Sequence, residues 1–256
     1  CIRDRSRLER RTSVSTQMMR STIAPMRTTT KPTIAVFSLI FLGSPVAVMI
    51  ERSLKAADSY GLQNYAALFE KIPQLPTTSA EALGNSMIYA LIATAMALCL
   101  GVVCAMTIVT RRDTVGRFFD LAATLPLGVS AVTVGFGILI SLNRSPVDWR
   151  TSWWIVPVAH AIVAVPFVVR SIVPMLRQIH PSVREAATLL GSSPLQIRAQ
   201  IDLPLIARGL TVAAGVAFAI SLGEFGATIT FVSNIADQTR TLPLAIYTLL
   251  NLSLIH

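Results

Sequence analysis

The sequence predicts an all-α chain folded as a polytopic bundle of transmembrane helices, and three observations predict it. Of its 256 residues 53% are hydrophobic and 14% are charged, well below the roughly one quarter of charged residues in soluble domains. Five apolar runs, at 33–50, 86–109, 121–142, 153–173 and 210–232, each hold at most one or two ionisable groups, and about 18 such residues suffice to cross a bilayer as a helix. Between the fourth and fifth runs lies REAATLLGSSPLQIRAQIDLPL, which is polar and dense in helix start and stop signals.

Taken in order, the basic segment 1–32 is expected to be disordered or non-native, because the chain opens on Cys1 while Met18, Met19 and Met26 stand closer to the first apolar run. That run is read as a span and not a signal peptide, since GSPVAVMIERS offers no small-residue cleavage site. Spans two to four follow. Of the 22 lysines and arginines, sixteen fall on the side of the N-terminus and six on the other. Excess Lys and Arg mark the cytoplasmic face, so the N-terminus and the polar insert are expected inside. The net charge of +9 thereby sets orientation, and a nucleic-acid partner is not expected. Cys99 and Cys104, five apart on one helix, face different sides and suit neither a disulfide nor a metal site. The last apolar stretch, 242–250, rises only about 14 Å as a helix, short of a hydrocarbon core of about 30 Å. The expectation is five complete spans plus a truncated sixth.

The insert, 177–207, reads as helix, glycine turn, helix. His180-Pro181 ends the preceding element. Ser182 and Glu185 stand three apart as a capping box does, the first helix runs to about Leu190, and Gly191 supplies a left-handed terminal position. Ser193, Pro194 and Gln196 repeat the start signal, and Pro204 closes the second helix. Val183, Ala186, Ala187 and Leu190 share one face of the first helix by their spacing. That face either packs beneath its own bundle or receives another surface at close approach.

The insert resembles the EAA loop of permease subunits of binding-protein-dependent ABC importers. The signature is EAA, three residues, Gly, nine residues, Ile, one residue, Leu-Pro, and the chain matches every interval with Glu185-Ala186-Ala187, Gly191, Ile201, Leu203 and Pro204. Similarity to these permeases extends from about residue 33 to 250, through GLQNYAALF and ALGNSMIYALIAT. The resemblance implies the type I ABC importer permease fold over 33–256 and a plasma (inner) membrane location. It makes the first helix of the insert a coupling helix, seated in a groove of an ATP-binding subunit. The implied partners are two ATP-binding cassette subunits, a second permease domain (a copy or a homologue) and a substrate-binding protein docking outside near 51–82. Glu185 then caps its own helix, contacts the partner, or does both.

The chain itself carries no phosphate loop G-x-x-x-x-G-K-[ST], no H-E-x-x-H and no G-x-S-x-G. It is therefore expected not to be an enzyme and to hold no cofactor, with ATP bound by another subunit. Ionisable groups inside a membrane are costly and mark function; here they are His160, Arg170 and Glu224. Arg170, near the end of its span, is expected to reach the headgroups, and His160 to be a hydrogen-bonded interior group. Glu224 lies some 15 residues, or roughly 20 Å, into the fifth run, bracketed by Gly223 and Gly226, which permit close helix approach. It either lines the pathway or gate, or pins two helices by a hydrogen bond. An ion-coupled secondary transporter is the alternative class, and it leaves the insert unexplained. Substrate readings divide: TLPLGVSAVTVGFGILISL resembles ferric iron and thiamine permeases, while SLGEFGATITFVSNIADQTRTLPLAIYTLL is similar to molybdate permeases. The longer match favours the oxyanion group.

Overall fold

The computed structural model describes residues 30–56, 59–71, 78–111, 113–142, 152–231 and 240–255. The basic segment therefore lies, up to residue 29, outside the described residues. The chain divides into two compact units, Cys1–Ala67 and Leu68–His256.

In the first unit, helix α1 (Thr30–Leu54) contains the first predicted span and extends past both its ends. Apolar residues run round its whole circumference, as lipid contact requires. A two-stranded antiparallel ribbon follows, β1 (Lys55–Ala56) and β2 (Ser59–Tyr60), and then the single turn α2 (Gln63–Ala66). The Asn64 amide donates to the carbonyls of Ser53 and Lys55 at 3.0 and 3.1 Å, and the hydroxyls of Tyr65 and Ser53 pair at 2.9 Å. These bonds fasten α2 to the end of α1 and to β1. The ribbon is a small departure from the all-α expectation.

The second unit is built on three helices. Helix α3 (Ser79–Thr110) begins at a reciprocal capping box between Thr78 and Glu81 and is about 48 Å long at 1.5 Å per residue. Helix α6 (Ile155–Gln178) and helix α10 (Ala207–Gly223) pack on it through small residues at four-residue spacing. Ala93, Ala97, Gly101 and Ala105 line α3, and Gly209, Ala213, Ala217 and Ser221 line α10; all are buried. Lipid is as apolar as leucine, so membrane helices associate by close packing of such small residues and not by hydrophobic exclusion. A methyl group added at Gly101 would come within 2.8 Å of the Val168 Cβ on α6.

The third predicted span is not one helix. It divides into α4 (Thr114–Thr124), a tight turn over Leu125–Gly128 and α5 (Ala131–Ser141), and the two limbs are bent by 112°. Pro126 within the tight turn cannot continue a regular ladder. The fifth predicted span is also broken: α10 ends at Gly223, Glu224 is extended (φ −72°, ψ 118°), and α11 (Gly226–Phe231) restarts. Residue 232 of that span lies outside the described residues. The short limbs α5 and α11 pack on each other, because Gly135 leaves room for Ala227, whose carbonyl oxygen would sit 2.9 Å from an added methyl. A methyl group added at Gly226 would come within 3.2 Å of a Val132 methyl on α5. Among the described residues three helices are long and apolar enough to cross a membrane, or five if two bent pairs, Thr114–Gly128 with Ala131–Ser141 and Pro194–Leu205 with Ala207–Gly223, each count as one span. The last helix, α12 (Leu242–Ile255), is tied to α3 by the Leu242 N–H, which donates to Ser86 Oγ at 2.7 Å.

Candidate coupling surface and membrane cluster

The insert follows α6 directly. Ile179 and His180 are extended, and Pro181 takes the first helical position of α7 (Pro181–Leu189), where its missing N–H is no loss. His180, not Ser182, is the N-cap: its Nδ1 accepts from the Ser182 backbone N–H at 3.3 Å and pairs with the Ser182 hydroxyl at 2.7 Å. The Ser182–Glu185 capping box is thus not formed, because Pro181 places the helix start two residues earlier. Glu185 is exposed and makes no hydrogen bond or ion pair among the described residues.

The helix ends as a Schellman turn. Ser192 N–H bonds the Ala187 carbonyl and Gly191 N–H the Thr188 carbonyl, both at 3.0 Å, the paired pattern that a left-handed residue at the turn closes. Gly191 supplies it, with φ +84°. Ser193 and Gln196 form the expected reciprocal capping box at the start of α8 (Pro194–Ile197). Pro204 does not end the second helix: a π-type turn over Arg198–Asp202 leads into α9 (Leu203–Leu205), with Pro204 inside it. Proline has no N–H for the carbonyl four residues back, and a widened turn is how a helix absorbs such a defect. The turn keeps Ile197, Asp202 and Ile206 inward; all three are buried. The segment then bends by 72° into α10.

The alanine face is also corrected. Ala187 is buried and Ala186 exposed, so the small residues do not form one outward surface. The outward apolar groups are leucines: Leu189 is 89% exposed, Leu190 87% and Leu195 74%. Of the other signature positions, Leu203 and Pro204 are exposed and Ile201 is half-buried. These three exposed leucines flank the Gly191 turn on an otherwise polar loop.

One feature of the insert has no sequence signal. Arg184 Nε donates to Asp202 Oδ1 at 2.9 Å, and its Nη2 donates to the Leu176 carbonyl at 3.4 Å. The Asp202 side chain is 3% exposed. Leu176 is in the last turn of α6, where carbonyls lack intrahelical donors. One guanidinium therefore joins the end of α6, helix α7 and the turn that leads into α10.

At the other half of the bundle, His160 on α6 is buried. Its Nδ1 lies 3.0 Å from Ser221 Oγ on α10 and its Nε2 2.8 Å from Thr228 Oγ1 on α11. The imidazole thus spans the break in the fifth predicted span. Glu224 sits in that break, where its Oε1 accepts from the Ala227 N–H at 3.1 Å. It pins no second helix in this way; it caps the one that follows. Gly226 makes the close approach expected of it, whereas a methyl group at Gly223 would meet nothing.

Residues 97–254 match the protein family described as binding-protein-dependent transport system inner membrane component. The chain is similar to the molybdenum transport system permease protein ModB of Escherichia coli K12, 40% identical over 142 residues, which is 51% of this chain and 62% of that protein. The chain thus spans less than two thirds of that relative's length. It is also similar to a putative 2-aminoethylphosphonate transport system permease protein, PhnV, of Salmonella paratyphi A: 26% identical over 215 residues, 84% of this chain and 80% of that one. Among solved structures, a bacterial ABC transporter involved in the import of the acidic polysaccharide alginate superposes with a TM-score of 0.62 at 18% identity, covering 95% of this chain and 87% of the other. That likeness shows a shared fold.

Proposed function

The chain belongs to the family of binding-protein-dependent transport system inner membrane components, and from that premise we propose that it is the permease subunit of an ABC importer. One copy supplies half of a translocation pathway and a second permease domain, identical or homologous, the other half. Two ATP-binding subunits bind and hydrolyse the ATP; an extracytoplasmic binding protein delivers substrate at outer loops that include 51–82. The membrane is the inner one, with the N-terminus and the insert on the cytoplasmic side, in keeping with the bias of sixteen basic residues against six.

The observation that carries this reading is the surface of Leu189, Leu190 and Leu195, all more than 70% exposed, on a loop stiffened by the Gly191 turn and the Ser193 cap. Glu185, Ala186, Leu203 and Pro204, also exposed, rim it; Ala187, Gly191 and Ile201 shape it. A pull on α7 passes through Arg184 to Leu176 in α6 and to Asp202 ahead of α10. Both helices end in the His160–Ser221–Thr228 cluster, so their relative motion reaches the break at Gly223, Glu224 and Gly226, which we assign to the pathway or its gate.

For the substrate we infer an oxyanion, with molybdate favoured over ferric iron or thiamine. Support comes from the 40% identity to a molybdenum permease and the similarity to a permease named for a phosphonate. The test is substrate-stimulated ATPase activity of the assembled complex in proteoliposomes, with its binding protein loaded in turn with molybdate, sulfate, 2-aminoethylphosphonate, ferric iron or thiamine. Stimulation by molybdate is expected. Stimulation by iron or thiamine alone overturns the substrate, and ion-gradient-driven uptake by this chain without ATP overturns the transporter class.

A further inference from the structure

We propose that a cleft between α4 and α6, at the end of the bundle that carries the insert, binds a tetrahedral oxyanion of the singly charged phosphodiester class. The cleft has a volume of about 520 Å³, and its charged and polar lining is Asp120, Thr124, Arg170 and Arg177, with Pro166 and Val169 among its apolar walls. Arg170 and Arg177 are seven residues apart on α6, which places them about 10 Å apart along the axis and within about 20° of one another round it. Two cations thus look into one space from one helix face. Helix α6 has no carboxylate of its own. Among the described residues no ion pair is formed by Arg170, Arg177 or Asp120.

Arg170 and Arg177 are exposed in the half of α6 nearer the insert, and long basic side chains near the end of a membrane helix reach into the headgroup layer. The guanidinium is the side chain best shaped for a phosphate, through paired parallel N–H donors. Asp120 offsets one of the two positive charges, so the cleft carries a net charge of +1. That matches a phosphodiester monoanion and leaves a dianion half unpaired. The apolar walls toward Pro166 suit a glycerol or acyl segment, and basic pockets between membrane helices hold lipid headgroups on this principle. The shared chemistry admits two sources, an anionic phospholipid or a free oxyanion; charge and walls favour the lipid. The inference is independent of which way the chain is inserted and of the coupling role of the insert.

The experiment titrates the assembled complex, delipidated in detergent, with phosphatidylglycerol or phosphatidylcholine of the same acyl chains and counts adducts by native mass spectrometry. Phosphatidylglycerol is expected to bind about tenfold more tightly, because both headgroups share the phosphodiester but the choline cation of phosphatidylcholine opposes the net positive charge of the cleft. R170Q/R177Q should abolish that preference, and D120N should strengthen binding, a change of sign that misfolding does not produce. Competition with inorganic phosphate, sulfate or molybdate separates the sources: displacement of the lipid at comparable concentration assigns a free oxyanion, and its absence assigns the lipid. Equal binding of the two lipids together with no effect of the inorganic anions overturns the site, as does an R170Q/R177Q complex that retains the preference.

Discussion

Removing Arg184 and removing Asp202 are unequal perturbations, and the inequality follows from their burial. The Asp202 side chain is 3% exposed and that of Arg184 24%. Arg184→Ala strands a buried carboxylate and also leaves the Leu176 carbonyl without its donor, and breaking a buried ion pair in this direction costs about 3–5 kcal/mol. In Asp202→Ala the guanidinium keeps Leu176 and turns toward water, so the expected cost is about 1.5–3 kcal/mol, that of one charged hydrogen bond. The double variant removes the stranded charge and should recover about 2 kcal/mol relative to the sum of the singles, in the range measured for residues in contact. The cost falls on the insert and not on the whole bundle. The assay is therefore hydrogen exchange of the α7 and α8 amides in the assembled complex, run beside the ratio of substrate transported to ATP hydrolysed. Equal effects of the two truncations, or strict additivity in the double variant, would refute the account of this pair.

At Gly191 an added Cβ meets nothing, yet φ is +84°, so substitutions there are penalised by the backbone alone. The expected order of coupling is Gly, Asn, Ala, then Val, with the β-branched residue costing about 1–3 kcal/mol of local strain; a Val variant that couples as well as Ala contradicts this. Leu189→Ser and Leu190→Ser remove exposed groups, so thermal stability of the chain should stay within about 0.5 kcal/mol. Each should nevertheless weaken association with the ATP-binding subunit about tenfold, read by titration of that subunit. On helix α5, Gly135→Ala drives a methyl against the Ala227 carbonyl, whereas Gly137→Ala enters open space. The first should destabilise by about 1–3 kcal/mol through overpacking and the second should be neutral, as measured by thermal unfolding in detergent.

Much of this was legible because the signals are local. Apolar run length located α1, α3 and α6, and the turn at Gly191 and the box at Ser193 and Gln196 follow from short-range backbone chemistry. The breaks in the third and fifth predicted spans were not legible as breaks, since apolar composition continues through them and hydropathy does not register backbone direction. Glu224 drew attention as a charge in an apolar run, but its extended backbone and its bond to Ala227 depend on where the helix stops. His180 gave no cap signal because histidine is not among the preferred caps; Pro181 beside it was the better marker of the start. The Arg184–Asp202 pair joins positions eighteen apart across a widened turn, so no helical spacing points to it. The alanine face misled for the same reason: periodicity says which residues share a side, and only packing says which side is inward.

The proposed function requires that the leucines beside Gly191 seat an ATP-binding subunit on the cytoplasmic side. The most direct measurement replaces Cys1, Cys99 and Cys104 by alanine and places one cysteine there, L190C, in the assembled complex in sealed inner-membrane vesicles, with L100C on the exposed side of α3 as the control. A nucleotide-sensitive crosslink from position 190 to the ATP-binding subunit is expected, and none from position 100. No crosslink from 190, or labelling of it by an impermeant thiol reagent from the periplasmic side of intact cells, would contradict it.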